Sequence, residues 1–107
     1  MSETLTITAP LWRWSGGSAG GGWFFVTIDG EPAETIHAHA AMRRLEAGRK
    51  KGFGQVRVDA RIGQTGWTTS LFPDKAREGF LLPVKAAIRK TEGLGEDDIV
   101  TVAIALP

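Results

Sequence analysis

Imidazole binds metals and moves protons near neutral pH, so the two histidines come first. His37 and His39 stand two positions apart. On a helix that spacing turns them about 200° from one another, and they cannot clasp one ion. On a strand they would share a face, but no acid is placed to complete a set, and the chain has no cysteine. Ser70 with a histidine and Asp59 or Asp74 can be assembled on paper into a nucleophilic triad. No G-x-S-x-G elbow surrounds Ser70, however, and a strand hydroxyl is the expectation. The glycines at 16, 17, 20, 21 and 22 lead into a strand-like run without a following Gly-Lys-Ser/Thr, and Gly52-Phe53-Gly54 lacks the third glycine of a dinucleotide fingerprint. Glu96, Asp97 and Asp98 are consecutive and read as a solvated turn, where a cation would need ligands from elsewhere. No catalytic residue, metal or cofactor is assigned.

Aromatic and basic residues carry the remaining chemistry. Trp12, Trp14, Trp23 and Trp67 stand beside five phenylalanines and no tyrosine. Most of these rings are expected in the core, since a small barrel needs large apolar groups to fill it. Trp12 and Trp14 fall on one side of an extended chain and flank Arg13; at the surface, either would stack on a ring or base with Arg13 adding charge. Arg57, Arg61, Thr68, Ser70 and Lys85 offer outward cations beside hydroxyl-bearing strands, a plausible anion surface. The leading reading is therefore a non-catalytic module for an anionic or aromatic small ligand, or a protein partner. Its candidate residues are Trp12, Arg13, Trp14, Arg57, Arg61, Trp67, Thr68, Ser70 and Lys85. The alternative is nucleic-acid binding through the basic segment 43–61, with Arg43, Arg44, Arg49, Lys50 and Lys51 joined by Arg57 and Arg61, which predicts a steep fall of affinity with salt. An enzyme whose residues are too scattered to be seen ranks third.

Composition bounds these readings. A chain of 107 residues, 42% apolar and 23% charged, has the proportions of one globular domain with a single core, with no linker. Without cysteine, disulfides, zinc fingers and thiol nucleophiles are excluded. No stretch approaches the length that spans a bilayer, and no leader-like segment opens the sequence, so a cytoplasmic chain with no membrane partner is expected. Thirteen Lys and Arg against twelve Asp and Glu give +1, too near balance to name a partner. The distribution is uneven: residues 43–61 hold seven bases and two acids, while residues 92–98 hold four acids and no base.

The elements that would position these side chains are mostly strands. Residues 4–9 alternate threonine with apolar groups, Pro10 interrupts, and residues 11–14 resume the alternation. Residues 15–22 read as a glycine-rich loop. Residues 23–28 read as a buried strand, and a helix follows over residues 32–47, started by Pro32, with Ile36, Ala40 and Leu45 as its apolar stripe. Residues 55–62 alternate cleanly, with Val56, Val58, Ala60 and Ile62 inward. A turn over 63–66 leads into a strand at 67–72, and a short strand covers 79–82. Pro83 then starts a second helix, with Val84, Ala87 and Ile88 on one side, ending at Gly93. The last strand, 99–106, is apolar enough to suggest burial on both faces. The outcome is a mainly β fold, with a minor α+β share: a small closed barrel of about six to seven strands with two short helices. Residues 23–62 and 80–106 each read strand, proline-started helix, strand, and two such halves can interleave into one barrel.

Two resemblances rest on these residues. Leu11-Trp12-Arg13-Trp14, Gly22-Trp23-Phe24-Phe25-Val26, Gly52-Phe53-Gly54, Ile62-Gly63 to Trp67, Thr69-Ser70-Leu71-Phe72-Pro73 and Leu82-Pro83-Val84-Lys85 together resemble a bacterial domain-of-unknown-function family numbered 1905. The resemblance covers nearly the whole chain and implies a double-split β-barrel without assigning an activity. Residues 83–104, with Ile88-Arg89, Leu94 and Asp98, look like the pattern of AbrB-type DNA-binding regulators, in which two chains build one barrel. Asp97 stands where that pattern usually has glycine. With two such halves in one chain, the resemblance implies that the barrel closes alone, favouring a monomer. A shared fold does not confer function.

Overall fold

A computed structural model describes residues 3–14, 23–47 and 56–106. The chain runs β1 (Glu3–Trp14), β2 (Trp23–Ile28), α1 (Gly30–Ala47), β3 (Val56–Ile62), β4 (Thr65–Asp74), β5 (Gly79–Pro83), α2 (Ala86–Glu92) and β6 (Ile99–Leu106). All neighbouring strands are antiparallel and close into a barrel in the order β1-β2-β5-β4-β3-β6. Exchanging β1, β2, β3 with β4, β5, β6 leaves every neighbour relation unchanged. The interleaved halves inferred from sequence are present in the topology, and a single chain closes the barrel.

The six strands are fewer than the longest count read from sequence, because Pro10 does not interrupt β1. The strand changes partner there: residues 3–10 pair with β6 and residues 11–14 with β2. Leu11 N–H donates to Asp98 O at 2.8 Å, and Asp97 N–H donates to Leu11 O at 2.7 Å. Leu11 thus faces β6, and the side on which Pro10 lacks a donor faces the β2 ladder just where it ends.

Period-two alternation fills the barrel. Along β3, Val56, Val58, Ala60 and Ile62 are buried while Arg57, Asp59 and Arg61 are exposed, as the pattern predicts. The core is almost wholly aliphatic: Leu11, Val26, Ile36, Leu71, Leu82, Val102 and Ile104 among others, with Phe80 the one fully buried ring among the described residues. Most rings were expected inside, and this is the largest correction to the sequence reading. Trp14, Trp23 and Phe72 are exposed, and Trp12, Phe24, Phe25 and Trp67 are half-buried. A six-stranded barrel is filled by aliphatic side chains from all its strands, which leaves Trp12, Trp14, Trp23 and Phe25 on the outer face, while Phe24, on the side of Val26, packs against the edge of the core.

The same geometry corrects both strands read as buried throughout. Along β2 only Val26 and Ile28 are buried, and along β6 Val100, Val102, Ile104 and Leu106 point in while Ile99 is 66% exposed. An antiparallel barrel of this kind covers one face of each strand. Helix α1 begins two residues before Pro32, at Gly30 with φ 66°. It packs through Ala33 and Ile36, with Ala40 against the core; Leu45 is 76% exposed, because the helix runs past the barrel before reaching it. No described helix is long and apolar enough to cross a membrane.

Pro83 does not start α2. It closes β5 opposite Phe25, Val84 N–H continues the ladder to Phe24 O at 2.9 Å, and extended Lys85 is the N-cap. Backbone pairing with β2 outweighs the preference of proline for a first helical turn. Val84 and Ile88 are buried as expected, but Ala87 is exposed, since the helix begins two residues after Val84. Gly93 ends α2 in the left-handed region at φ 68°. The turn between β3 and β4 is only Gly63-Gln64, and Thr65 already belongs to β4.

Candidate functional site

β4 pairs with β5 only over residues 72–74, whereas it pairs with β3 along residues 65–71. Between these stretches β4 parts from β5, and α2 stands against the departed half. Thr65 Oγ1–H donates to the carboxylate of Glu92 at the end of α2, tying the two together. The parting leaves an open cleft of about 630 Å³. Its walls are Arg57, Trp67, Thr68, Thr69, Ser70 and Phe72 on one side, and Trp23, Phe24, Pro83, Val84, Lys85, Ala86 and Arg89 on the other.

Alternation places each side chain. Arg57 and Ser70 are cross-strand partners on the outer face of β3 and β4, with Cβ atoms about 5 Å apart. Lys85 follows Val84, whose N–H extends the ladder to Phe24 O, and the same register continued one residue carries it beside Trp23. Arg89 is held in place twice. Its Nε–H donates to Val84 O at 3.2 Å, and its guanidinium carbon lies 3.8 Å from the centroid of the Phe24 ring. Such stacking pre-orients the charge without neutralising it. Among the described residues that line the cleft there are three cations and no acid. The one ion pair within 4 Å among the described residues, Arg77 with Asp74 at 3.0 Å, lies elsewhere. Trp67 carries a buried indole N–H with no acceptor among the described residues.

Of the residues singled out from sequence, Arg57, Trp67, Thr68, Ser70 and Lys85 meet in this cleft. Arg61 does not: it lines a second groove of about 580 Å³ with Thr4, Asp59, Gly66, Ala103 and Ala105, and its Nη1–H donates to Gln64 O at 3.2 Å. In that groove Asp59 accepts from Thr68 Oγ1 at 2.8 Å and offsets the arginine. Trp12, Arg13 and Trp14 also lie outside the cleft. Trp12 leans on Phe25 at 5.3 Å and donates to Thr27 Oγ1 at 2.8 Å; Arg13 is exposed opposite Phe24; Trp14 is exposed opposite Trp23. Of the basic segment, Arg43 is exposed on α1, the side chain of Arg44 is not described, and Arg49, Lys50 and Lys51 lie outside the described residues, as do the glycine-rich stretch 15–22 and residues 52–54.

Sequence reasoning missed Arg89, Phe24, Trp23 and Phe72 as cleft residues. Arg89 read as part of a short helix, and the rings read as core. Nothing local marks a position whose neighbours come from a distant strand.

The other constellations do not assemble. Ser70 lines the cleft without a histidine. His37 packs on Phe80 at 4.7 Å between ring centroids, with its Nε2 3.1 Å from Glu78 O, in a hollow near Asp74 at the far end of β4. Half-buried His39 has an Nε2 with no partner among the described residues. Glu96 to Asp98 form an exposed turn in which Asp98 accepts from Gly95 N–H at 2.7 Å, with Asp97 at φ 72°.

No curated protein matches the sequence. One family pattern does, over residues 8–104, a span that takes in β2 to β5, both helices, most of β1 and β6, and every wall of the cleft. The chain thus belongs to the family described as Domain of unknown function (DUF1905).

Proposed function

We propose that this chain is a non-catalytic binding module whose ligand carries both an anionic group and a flat aromatic ring. One observation carries the reading: the parting of β4 from β5 gathers Arg57, Lys85 and Arg89, with the hydroxyl of Ser70 and rings of Trp23, Phe24 and Trp67, into one cleft with no acid among its described lining residues. Cations and hydroxyls favour an anion. The aromatic walls favour a flat apolar body, the usual division of labour in a small-molecule site. Among the described residues that line the cleft with Ser70 there is no histidine and no carboxylate, which supports binding rather than acyl transfer. The symmetric strand order supports the double-split reading and a likeness to AbrB-type proteins, and closure within one chain supports a monomer.

Two cleft residues, Trp23 and Trp67, report occupancy through intrinsic fluorescence. Titration with adenosine monophosphate, adenosine and inorganic phosphate separates the two halves of the ligand. Monophosphate is expected to quench saturably, and to bind more tightly than either half alone. Arg57→Gln and Lys85→Gln are each expected to weaken it by about ten- to a hundredfold, the value of one hydrogen bond to a charged group. Equal quenching by adenosine and monophosphate, unchanged in both variants, overturns the reading.

A further inference from the structure

We infer that the ligand is a single-stranded nucleic acid, its phosphates drawn to the cations of the cleft and its bases stacked on the aromatic outer face of β1 and β2. This rests on the binding reading above and extends it from one nucleotide to a strand. The observation behind it is continuity. Trp14 and Trp23 face one another across β1 and β2, and Trp12 and Phe25 form the next outward row. Phe25 in turn pairs with Pro83 on β5, and both Trp23 and Pro83 are walls of the cleft. The rings therefore run unbroken from the cleft onto the open face.

These rings are available. Trp14 is 45% exposed and Trp23 60%. Trp23 and Phe25 lie within 10° of parallel with centroids 6.5 Å apart, the loose end of ring contact, so neither covers the other closely. Successive outward residues on a strand stand about 6.7 Å apart, a step that an unstacked nucleotide chain can follow. Rows of rings bordered by cations are the arrangement that holds single strands without reading sequence, because every base has a face to stack. In a duplex those faces are already covered by neighbouring bases. Three cations and no acid among the described lining residues disfavour an acid-poor peptide and favour a polyanion.

The test uses the whole chain with a fluorescein-labelled single-stranded DNA of about ten mixed nucleotides, followed by anisotropy at about 50 and 200 mM salt. Three phosphate contacts at about 0.7 counterions each predict a roughly 20-fold loss of affinity between the two salts. Trp14→Ala is expected to weaken the strand at least about fivefold, the effect of losing one stacked base, while Trp14→Phe retains binding. Trp14 lies outside the cleft, so Trp14→Ala is expected to leave adenosine monophosphate binding unchanged. A thermal melt establishes that each variant is folded. Three results overturn the inference: a duplex that binds as tightly as the strand, polyphosphate that competes as well as the strand, or Trp14→Ala without effect on the strand. If monophosphate still binds and still depends on Arg57 and Lys85, the cleft reading survives that failure. If neither monophosphate nor strand binds, both fall.

Discussion

Replacing Gly79 by alanine tests the barrel where β5 crosses closest to β2. A Cβ at Gly79 would lie 2.1 Å from Ile28 O, 3.2 Å from Ile28 C and 3.3 Å from Asp29 Cα. These are backbone atoms, and no side chain can swing away. To reach ordinary contact near 3.5 Å the two chains must separate by about 1 Å or more. That movement stretches the adjoining ladder, where Ile28 pairs with Phe80 on one side and Asp74 with Gly79 on the other. Overpacking costs about 1–3 kcal/mol, and one or two weakened ladder bonds add about 1 kcal/mol each. The sum, about 2–5 kcal/mol, is a large part of the 5–15 kcal/mol typical of a domain. Gly93→Ala is the control. There φ is 68° and nothing lies within 4 Å, so only left-handed backbone strain of about 1 kcal/mol is added. Urea unfolding followed by tryptophan fluorescence gives both values from the shift in midpoint at constant slope. If Gly79→Ala costs no more than Gly93→Ala, the close approach of β5 to β2 is wrong.

Three further outcomes follow from packing and backbone geometry. Ile36→Ala should cost about 2–5 kcal/mol, because Ile36 is the fully buried anchor of α1, whereas Leu45→Lys on the same helix should stay within about 0.5 kcal/mol; the same urea titration separates them. Glu78→Gly should raise stability by up to about 1 kcal/mol, since Glu78 adopts φ 53° in the turn before β5; a lower melting temperature would contradict this. Phe80→Leu should unfold the protein more easily by about 1–3 kcal/mol, as the loss of this fully buried ring leaves a cavity under His37, and calorimetry would read it as a fall in melting temperature.

Alternation made β3 legible in advance, residue by residue, because a half-buried strand writes its two faces directly into every second position. The mainly β class, the two helices, the end of α2 at Gly93 and the paired halves were legible for the same local reason. Pro10 and Pro83 misled. A proline's local preference was taken as an interruption and as a helix start, but in both places the pairing of neighbouring strands governs the backbone. The rings misled most. A tryptophan's size says that burying it is favourable, not which face of its strand will be covered, and the aliphatic partners that fill this barrel come from six separate strands.

Five of the nine ligand-binding candidates meet in one cleft, and that much was visible because hydroxyls and arginines alternating on neighbouring strands must share an outer face. Sequence alone determined the absence of thiol chemistry and the two faces of β3. Tertiary structure alone decided where β4 parts from β5, and hence that Arg89 on α2 faces Arg57 on β3 across a cleft while Arg61, four residues on from Arg57, belongs to another groove. Side-chain direction is set within a few residues by the backbone, but the distance between two strands depends on every side chain packed between them.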